Sequence, residues 1–222
     1  MDQYGVDYNI LTVVTQKTAG HAAEIYNYYK EQGWKYQQYI ACLDPLGEDR
    51  GKTPYALNPE QYGMFLTELF NLWYEDWKKG EQPYIRQFEN YIGILLGYQP
   101  ESCEQRGSCG TQNVVEADGS VYPCDFYALD EYKLGNFNCN RLEEIDKKRK
   151  EIAFVEQSQI VAENCKNCKF YKICKGGCRR NKDFNAMNGE YENYFCKSYR
   201  IFFDICLERM IQIVEIIKNQ KG

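Results

Sequence analysis

Four cysteines lie close together in one segment of the chain, with the spacing Cys165-x2-Cys168-x5-Cys174-x3-Cys178. The basic residues that surround them are Lys166, Lys169, Lys172, Lys175, Arg179, Arg180 and Lys182. A thiolate binds metals and a thiol does so poorly, so positive neighbours favour a ligand cluster. Gly176 and Gly177 allow the backbone to turn tightly around a bulky inorganic group. The further cysteines that flank this segment are Cys103, Cys109, Cys124 and Cys196. These eight thiols are enough for two sites of four ligands each.

Three kinds of site compete for the eight cysteines. A disulfide framework is typical of small secreted domains, whereas this chain has 222 residues, an odd total of 11 cysteines and no signal peptide. Structural zinc usually takes two CxxC pairs, or one CxxC with two histidines, and here there is one CxxC and the single histidine His21. A pair of iron–sulfur clusters, each held by four cysteines, fits the spacing best.

The composition narrows the class of protein. A chain of 222 residues can form one large domain or two small ones. The formal net charge of −5 disfavours a general role in nucleic-acid binding. No apolar run approaches the roughly 20 residues that span a bilayer, and Met1–Tyr4 shows no export signal. We therefore expect a cytoplasmic protein with no membrane anchor and no nucleic-acid partner.

The N-terminal part of the sequence predicts a βαβ unit. Val6–Val14 and Trp34–Leu43 have the composition of buried strands, and His21–Gln32 has helical spacing of its apolar residues. Strand, helix and strand in this order predict parallel pairing with a right-handed crossover. Ligands of α/β sheets bind at the carboxyl ends of strands, so the segment 42–44 is a candidate site.

The rest of the chain predicts two apolar helices and then a cysteine-rich region. Asn58 and Pro59 open the first helix, whose apolar stripe is a core face rather than a cofactor site. The expected later elements are a helix at Tyr84–Gly97, a hairpin of Gln112–Glu116 and Ser120–Cys124, helices at Leu142–Val155 and Ile201–Lys218, and a loop at Phe184–Phe195. We expect Cys139 and Cys206 not to be ligands.

The cysteine pattern resembles that of the SPASM domain of radical S-adenosylmethionine enzymes. The resemblance rests on Cys109-x9-Gly119-x4-Cys124, on the four-cysteine segment described above, and on the gap to Cys196. Cys103 before Cys109, the run Glu116–Tyr127 and the run Tyr39–Pro45 are similar to anaerobic sulfatase-maturating enzymes. This implies an α/β fold: the C-terminal end of a partial (β/α)6 radical SAM barrel over residues 1–98, then a cysteine-rich α+β SPASM domain with a β-hairpin and a C-terminal helix over residues 99–222.

The resemblance also implies a reaction. Those enzymes oxidise a cysteine or serine of a sulfatase to Cα-formylglycine: a 5′-deoxyadenosyl radical removes a hydrogen from Cβ, a base takes a proton, and an electron leaves through an auxiliary cluster. It implies that Cys103, Cys109, Cys124 and Cys178 hold a first auxiliary 4Fe–4S cluster, and that Cys165, Cys168, Cys174 and Cys196 hold a second. Asp125 matches the general base, and the backbone of Leu43 matches a contact to the adenine of S-adenosylmethionine.

The sequence departs from the family in one respect. The family binds a third 4Fe–4S cluster, which generates the radical, through Cys-x3-Cys-x2-Cys, and this spacing does not occur here. We expect the chain alone to bind two clusters without cleaving S-adenosylmethionine. In the complete enzyme we expect a sulfatase polypeptide as substrate, a reductant such as flavodoxin or ferredoxin, and a monomeric state. Two alternatives remain open: a SPASM enzyme that modifies another ribosomal peptide, and a zinc-stapled binding module without catalytic activity.

Overall fold

The computed structural model describes residues 1–220, and its elements alternate between helix and strand at the N-terminus. The elements up to residue 95 are β1 (Ile10–Val14), α1 (Ala22–Glu31), β2 (Tyr36–Ala41), α2 (Pro59–Trp77), β3 (Tyr84–Ile85) and α3 (Arg86–Leu95). The later elements are α4 (Cys103–Arg106), β4 (Val114–Val115), β5 (Ser120–Tyr122), β6 (Gly135–Asn136), α5 (Leu142–Glu151), α6 (Phe154–Ser158), α7 (Glu163–Lys166), α8 (Tyr171–Cys174), β7 (Lys182–Asn185), β8 (Glu190–Asn193) and α9 (Cys196–Gln220).

Two compact units make up the described chain. The first contains Met1–Glu101 and the chain from Tyr194 onward, and the second contains Ser102–Asn193. The sequence groups the C-terminal helix with the cysteine-rich region, whereas the structure places α9 against α2. Gly63 explains this close packing, because a Cβ there would lie 3.0 Å from the carbonyl oxygen of Ser198 and 3.1 Å from Cβ of Ile201.

The predicted βαβ unit forms the sheet of the first unit. β1 and β2 pair in parallel from Ile10 with Gln37 to Val14 with Ala41, and β3 adds in parallel on the other side of β2. Asn58 caps α2, because its side chain accepts hydrogen bonds from the backbone N–H groups of Glu60 and Gln61. The three strands do not close into a barrel within the described residues, in agreement with the predicted partial barrel.

The second unit has little regular structure and two small antiparallel sheets. β4, β5 and β6 form one of them, which confirms the predicted hairpin and adds a third strand. A small apolar cluster of Val121, Leu134 and Ile145 packs beneath this sheet. No helix within residues 1–220 has the length and apolarity needed to cross a membrane.

Two predicted elements of this unit are wrong. The loop expected at Phe184–Phe195 contains the hairpin β7–β8, with Phe184 opposite Tyr191. Its turn contains Gly189, with φ of +73°, directly after Asn188, and Asn-Gly is a recognised hairpin signal. The single helix expected at Leu142–Val155 is interrupted at Ala153, whose φ of +48° separates α5 from α6.

Candidate functional site

The segment that carries Cys103 and Cys109 packs against the segment that carries Cys174 and Cys178. Gly107 ends α4 in the left-handed conformation, with φ of +71°. A Cβ added at Gly107 would overlap the carbonyl oxygen of Lys175, which directly follows Cys174. Only glycine therefore permits this approach of two cysteine-bearing segments that are distant in sequence.

The buried Ser158, which no sequence motif marks, fixes the backbone of Cys109. The backbone N–H of Cys109 donates to Oγ of the buried Ser158 at 2.8 Å. Burial raises the pKa of the Cys109 thiol, and the electrostatic effect of Cys103 acts in the same direction. Arg179 and Lys182 act in the opposite direction, as cations do that stabilise a thiolate.

Cys124 and Cys178 belong to the same electrostatic neighbourhood. Burial raises the pKa of Cys124 to about 12, with smaller contributions from Asp125 and Cys109. Burial also raises the pKa of Cys178, to which Glu104, Cys103 and Cys109 contribute. Cys109 therefore has electrostatic contacts with Cys103, Cys124 and Cys178, the three other thiols that the sequence assigns to the first cluster. Their role as ligands stays a prediction.

The second predicted set is divided between the two compact units. Cys165 lies in α7 and Cys174 ends α8, and both thiols act electrostatically on Lys182. The backbone N–H of Cys168 donates to the carbonyl oxygen of Cys165 at 3.1 Å, which closes the turn between them. Cys196 begins α9 in the first unit and is exposed.

The cysteines and their cationic neighbours fit an iron–sulfur group. None of the 11 cysteines forms a disulfide, which counts against the disulfide interpretation. Within residues 1–220, no group of three or more His, Cys, Asp or Glu side chains is arranged to bind one metal ion. The donor set of thiols with Arg179 and Lys182 as cationic neighbours fits an anionic iron–sulfur cluster.

Asp125 follows Cys124 directly and opens a short 3-10 turn that ends at Tyr127. Its side chain is exposed, and its Oδ1 accepts a hydrogen bond from the Phe126 N–H at 3.1 Å. The Cys124 thiol also donates to this oxygen at 3.2 Å. Both hydrogen bonds of this carboxylate therefore go to Oδ1.

Arg179 holds the turn that carries Asp125. Its guanidinium lies 5.5 Å from the ring centroid of Tyr127 and 4.5 Å from that of Phe154. It also donates at 2.7 Å to the carbonyl oxygen of Phe154. The cation therefore links the Cys178 segment to the Asp125 turn and to α6.

Leu43 and Asp44 lie in the first unit, after the carboxyl end of β2. Cys42 N–H donates to Val14 O at 2.8 Å, and Cys42 O accepts from Leu57 N–H at 3.1 Å, so the backbone beside Leu43 is fixed on both sides. Leu43 is half-buried. Asp44 is buried and its carboxylate accepts hydrogen bonds within its own loop, which gives it a structural role.

Cys139 and Cys206 have other surroundings. The Cys139 thiol is exposed and donates weakly to Asn136 O at 3.6 Å. Cys206 is fully buried in α9, and its sulfur accepts from Arg209 at 3.5 Å. The prediction that neither binds a cluster stays a prediction.

Comparison with known proteins also indicates iron–sulfur cluster binding by the cysteine-rich region. A model of the SPASM iron–sulfur cluster-binding domain matches residues 103–169. The cysteine-type anaerobic sulfatase-maturating enzyme of Clostridium perfringens strain 13 is 45% identical over 216 residues, which cover 97% of this chain and 58% of the relative. The serine-type enzyme of Bacteroides thetaiotaomicron is 29% identical over 239 residues, which cover 100% of this chain and 57% of the relative.

A solved structure of a sulfatase-maturating enzyme has nearly the same sequence identity to this chain as the Clostridium perfringens relative. The structure described as "Native anSMEcpe with bound AdoMet and Cp18Cys peptide" has a TM-score of 0.90 and 44% identity, and the match covers 97% of this chain and 60% of that one. The chain thus spans less than two thirds of the length of these relatives. The family resemblance predicted from the sequence is confirmed. Residues 103–169 match the SPASM iron–sulfur cluster-binding domain, and the chain is similar, over nearly all of its length, to the C-terminal part of the anaerobic sulfatase-maturating enzymes.

Proposed function

We propose that this chain is the substrate-binding and electron-transfer half of a radical S-adenosylmethionine enzyme that oxidises a sulfatase active-site residue to Cα-formylglycine. The similarity to the sulfatase-maturating enzymes supports this function over modification of another ribosomal peptide. Identity is 45% to the cysteine-type relative and 29% to the serine-type relative. We therefore propose cysteine as the residue that is oxidised.

The observation that carries the proposal is the position of Asp125. Its carboxylate is exposed and directly follows Cys124, a predicted cluster ligand. A general base must lie within hydrogen-bond reach of the proton that it takes. We propose that Asp125 takes the thiol proton of the substrate cysteine while Cβ loses a hydrogen atom and one further electron. This leaves a thioaldehyde, which water hydrolyses to Cα-formylglycine with release of hydrogen sulfide. Arg179 holds the Asp125 turn in place through Tyr127.

The cofactors have defined candidate ligands. Cys103, Cys109, Cys124 and Cys178 would hold one 4Fe–4S cluster, and Cys165, Cys168, Cys174 and Cys196 a second. When bound, these clusters would accept the electron that leaves the substrate. The backbone of Leu43 would contact the adenine of S-adenosylmethionine, which supplies the hydrogen-abstracting radical in the complete enzyme together with a third cluster.

The remaining proposals concern the setting of the complete enzyme. A sulfatase polypeptide would be the substrate, and a small electron carrier such as flavodoxin or ferredoxin would be the reductant. We place the enzyme in the cytoplasm, because reduced thiols persist there. We also propose that it is a monomer.

A chimera tests the function of this chain. The N-terminal part of the Clostridium perfringens relative is joined to this chain, purified without oxygen, and given a sulfatase-derived cysteine peptide. We expect formylglycine to be detected by mass spectrometry. Asp125→Asn should lower kcat by about 10²–10⁴-fold, the range for loss of a general base, while iron content stays unchanged.

Asp130→Asn is the matched control for this test. Asp130 is also exposed and also opens a 3-10 turn, at Asp130–Tyr132, but it does not follow a cysteine. Its substitution should leave kcat within a factor of two or so of the unsubstituted chimera. Equal kcat in the Asp125 and Asp130 variants would refute the proposed base.

A further inference from the structure

Lys182 is a half-buried cation at the start of β7, and its ammonium group is fixed next to Cys109. Its Nζ donates to the carbonyl oxygen of Ser158 at 3.2 Å. The hydroxyl of the same Ser158 accepts the backbone N–H of Cys109 at 2.8 Å. One buried serine therefore holds the Lys182 ammonium and the Cys109 backbone at neighbouring positions.

The ammonium group also approaches the segment between Cys174 and Cys178. A Cβ added at Gly176 would lie 4.0 Å from Nζ of Lys182. Cys174 belongs to the second predicted ligand set and Cys178 to the first. Lys182 thus lies where segments of the two sets meet.

The electrostatic neighbours of Lys182 are the predicted ligands themselves. Burial lowers the pKa of Lys182, and the thiols that oppose this effect are Cys165, Cys178, Cys109 and Cys174. Within residues 1–220, no carboxylate lies within ion-pair distance of its ammonium group. A half-buried charge without an opposite charge is costly. An anionic group between these thiols would supply the missing counter-charge.

The other lysines of the segment have different surroundings. Lys166 pairs with Glu163, Lys169 lies over the ring of Phe170 at 4.6 Å, Lys175 lies over the ring of Tyr171 at 5.5 Å, and Lys172 is exposed. Among these five lysines, Lys182 is the one whose ammonium group is anchored beside predicted ligands of both sets.

We propose that Lys182 is a shared positive charge between the two cluster sites, which raises the reduction potential of both clusters. Reduction adds one electron to an anionic cluster, and a fixed cation nearby stabilises the added charge. The potential of an iron–sulfur cluster depends on net charge, hydrogen bonds and solvent exposure. Lys182 is a positioning residue in this scheme, since it acts on the clusters and not on the substrate. The inference rests on the proposed function, in which the chain holds two clusters.

The test is a redox titration of the full 222-residue chain, reconstituted without oxygen and followed by electron paramagnetic resonance. Lys182→Gln keeps a hydrogen-bond donor but removes the charge, and Lys182→Arg keeps the charge. In Lys182→Gln we expect the equilibrium constant for one-electron reduction of each cluster to fall at least tenfold. This corresponds to a reduction potential that is lower by at least 59 mV. Lys182→Arg should restore most of the potential. The control Lys172→Gln, which removes an exposed charge from the same segment, should leave both potentials unchanged.

Three results separate this inference from the proposed function. Unchanged potentials in Lys182→Gln, with full iron and sulfide content, would overturn the role of Lys182 and leave the cluster assignment intact. Loss of iron in Lys182→Gln but not in Lys182→Arg would support the need for the charge. A wild-type chain without iron and acid-labile sulfide would overturn both proposals.

Discussion

The side chain of Asp44 lies just after the carboxyl end of β2 and is 1% exposed. It accepts hydrogen bonds from Gly51 N–H at 2.7 Å and from both Thr53 N–H and Thr53 Oγ1 at 2.8 Å. Burial opposes its ionisation, but the hydrogen bonds from Thr53 and Gly51 outweigh burial and hold the pKa of Asp44 below 3.8. The sequence pattern correctly placed Asp44 just after the end of a strand, where ligands often bind. It could not show that the carboxylate accepts hydrogen bonds from Gly51 and Thr53 of its own loop.

Replacing Asp44 should therefore destabilise the chain. Asp44→Asn loses hydrogen bonds to a charged acceptor, and we expect the free energy of unfolding to fall by about 1–3 kcal/mol. Because the folded-state pKa lies below the unfolded value, this contribution is present above pH 3.8 and is lost as the pH falls through the folded-state pKa. Urea denaturation at neutral and acidic pH measures the difference.

Asp49→Asn in the same loop is the control for Asp44. Asp49 is exposed and pairs with the exposed Lys52 at 2.7 Å, so its replacement should change stability little. A larger loss of stability in the Asp49 variant than in the Asp44 variant would contradict the role given to Asp44.

Helices and strands whose formation depends mainly on local sequence patterns were predicted well from the sequence. The parallel pairing of β1 with β2 and the Asn58-capped start of α2 follow from local patterns. The contact of Gly107 with Lys175 and that of Cys109 with Ser158 could not be predicted, because they join residues far apart in an irregular region. The hairpin β7–β8 could have been found from Asn188 and Gly189.

We expect the close packing of two cysteine-bearing segments at Gly107 to be needed for binding of the first cluster. Gly107→Ala places a Cβ on the carbonyl oxygen of Lys175 and strains a left-handed residue. We expect the variant to lose iron from the first cluster site, so that iron falls from about eight to about four per chain. Iron analysis after anaerobic reconstitution measures this loss.

Gly110→Ala is the matched control in the same segment. A Cβ there would lie 3.6 Å from Nη2 of Arg106, an ordinary contact with a flexible side chain. Its iron content should equal that of the wild-type chain. Full iron content in Gly107→Ala would show that the packing of the two segments is not needed for cluster binding.

At the scale of the whole molecule, the chain combines part of a parallel α/β sheet with a cysteine-rich unit. Parallel sheets are normally covered on both faces, yet Leu11 and Val13 of β1 are 56% and 52% exposed. This exposure agrees with the partial barrel that the sequence predicted. The resemblance to the family rested on the cysteine spacing together with the runs Glu116–Tyr127 and Tyr39–Pro45, and the comparisons support it.

The most direct test of the account is a metal and sulfide analysis of the chain purified without oxygen. Two 4Fe–4S clusters predict about eight iron atoms and about eight acid-labile sulfide ions per chain. About two zinc ions per chain, with no acid-labile sulfide, would instead identify a zinc-stapled binding module and contradict the cluster assignment.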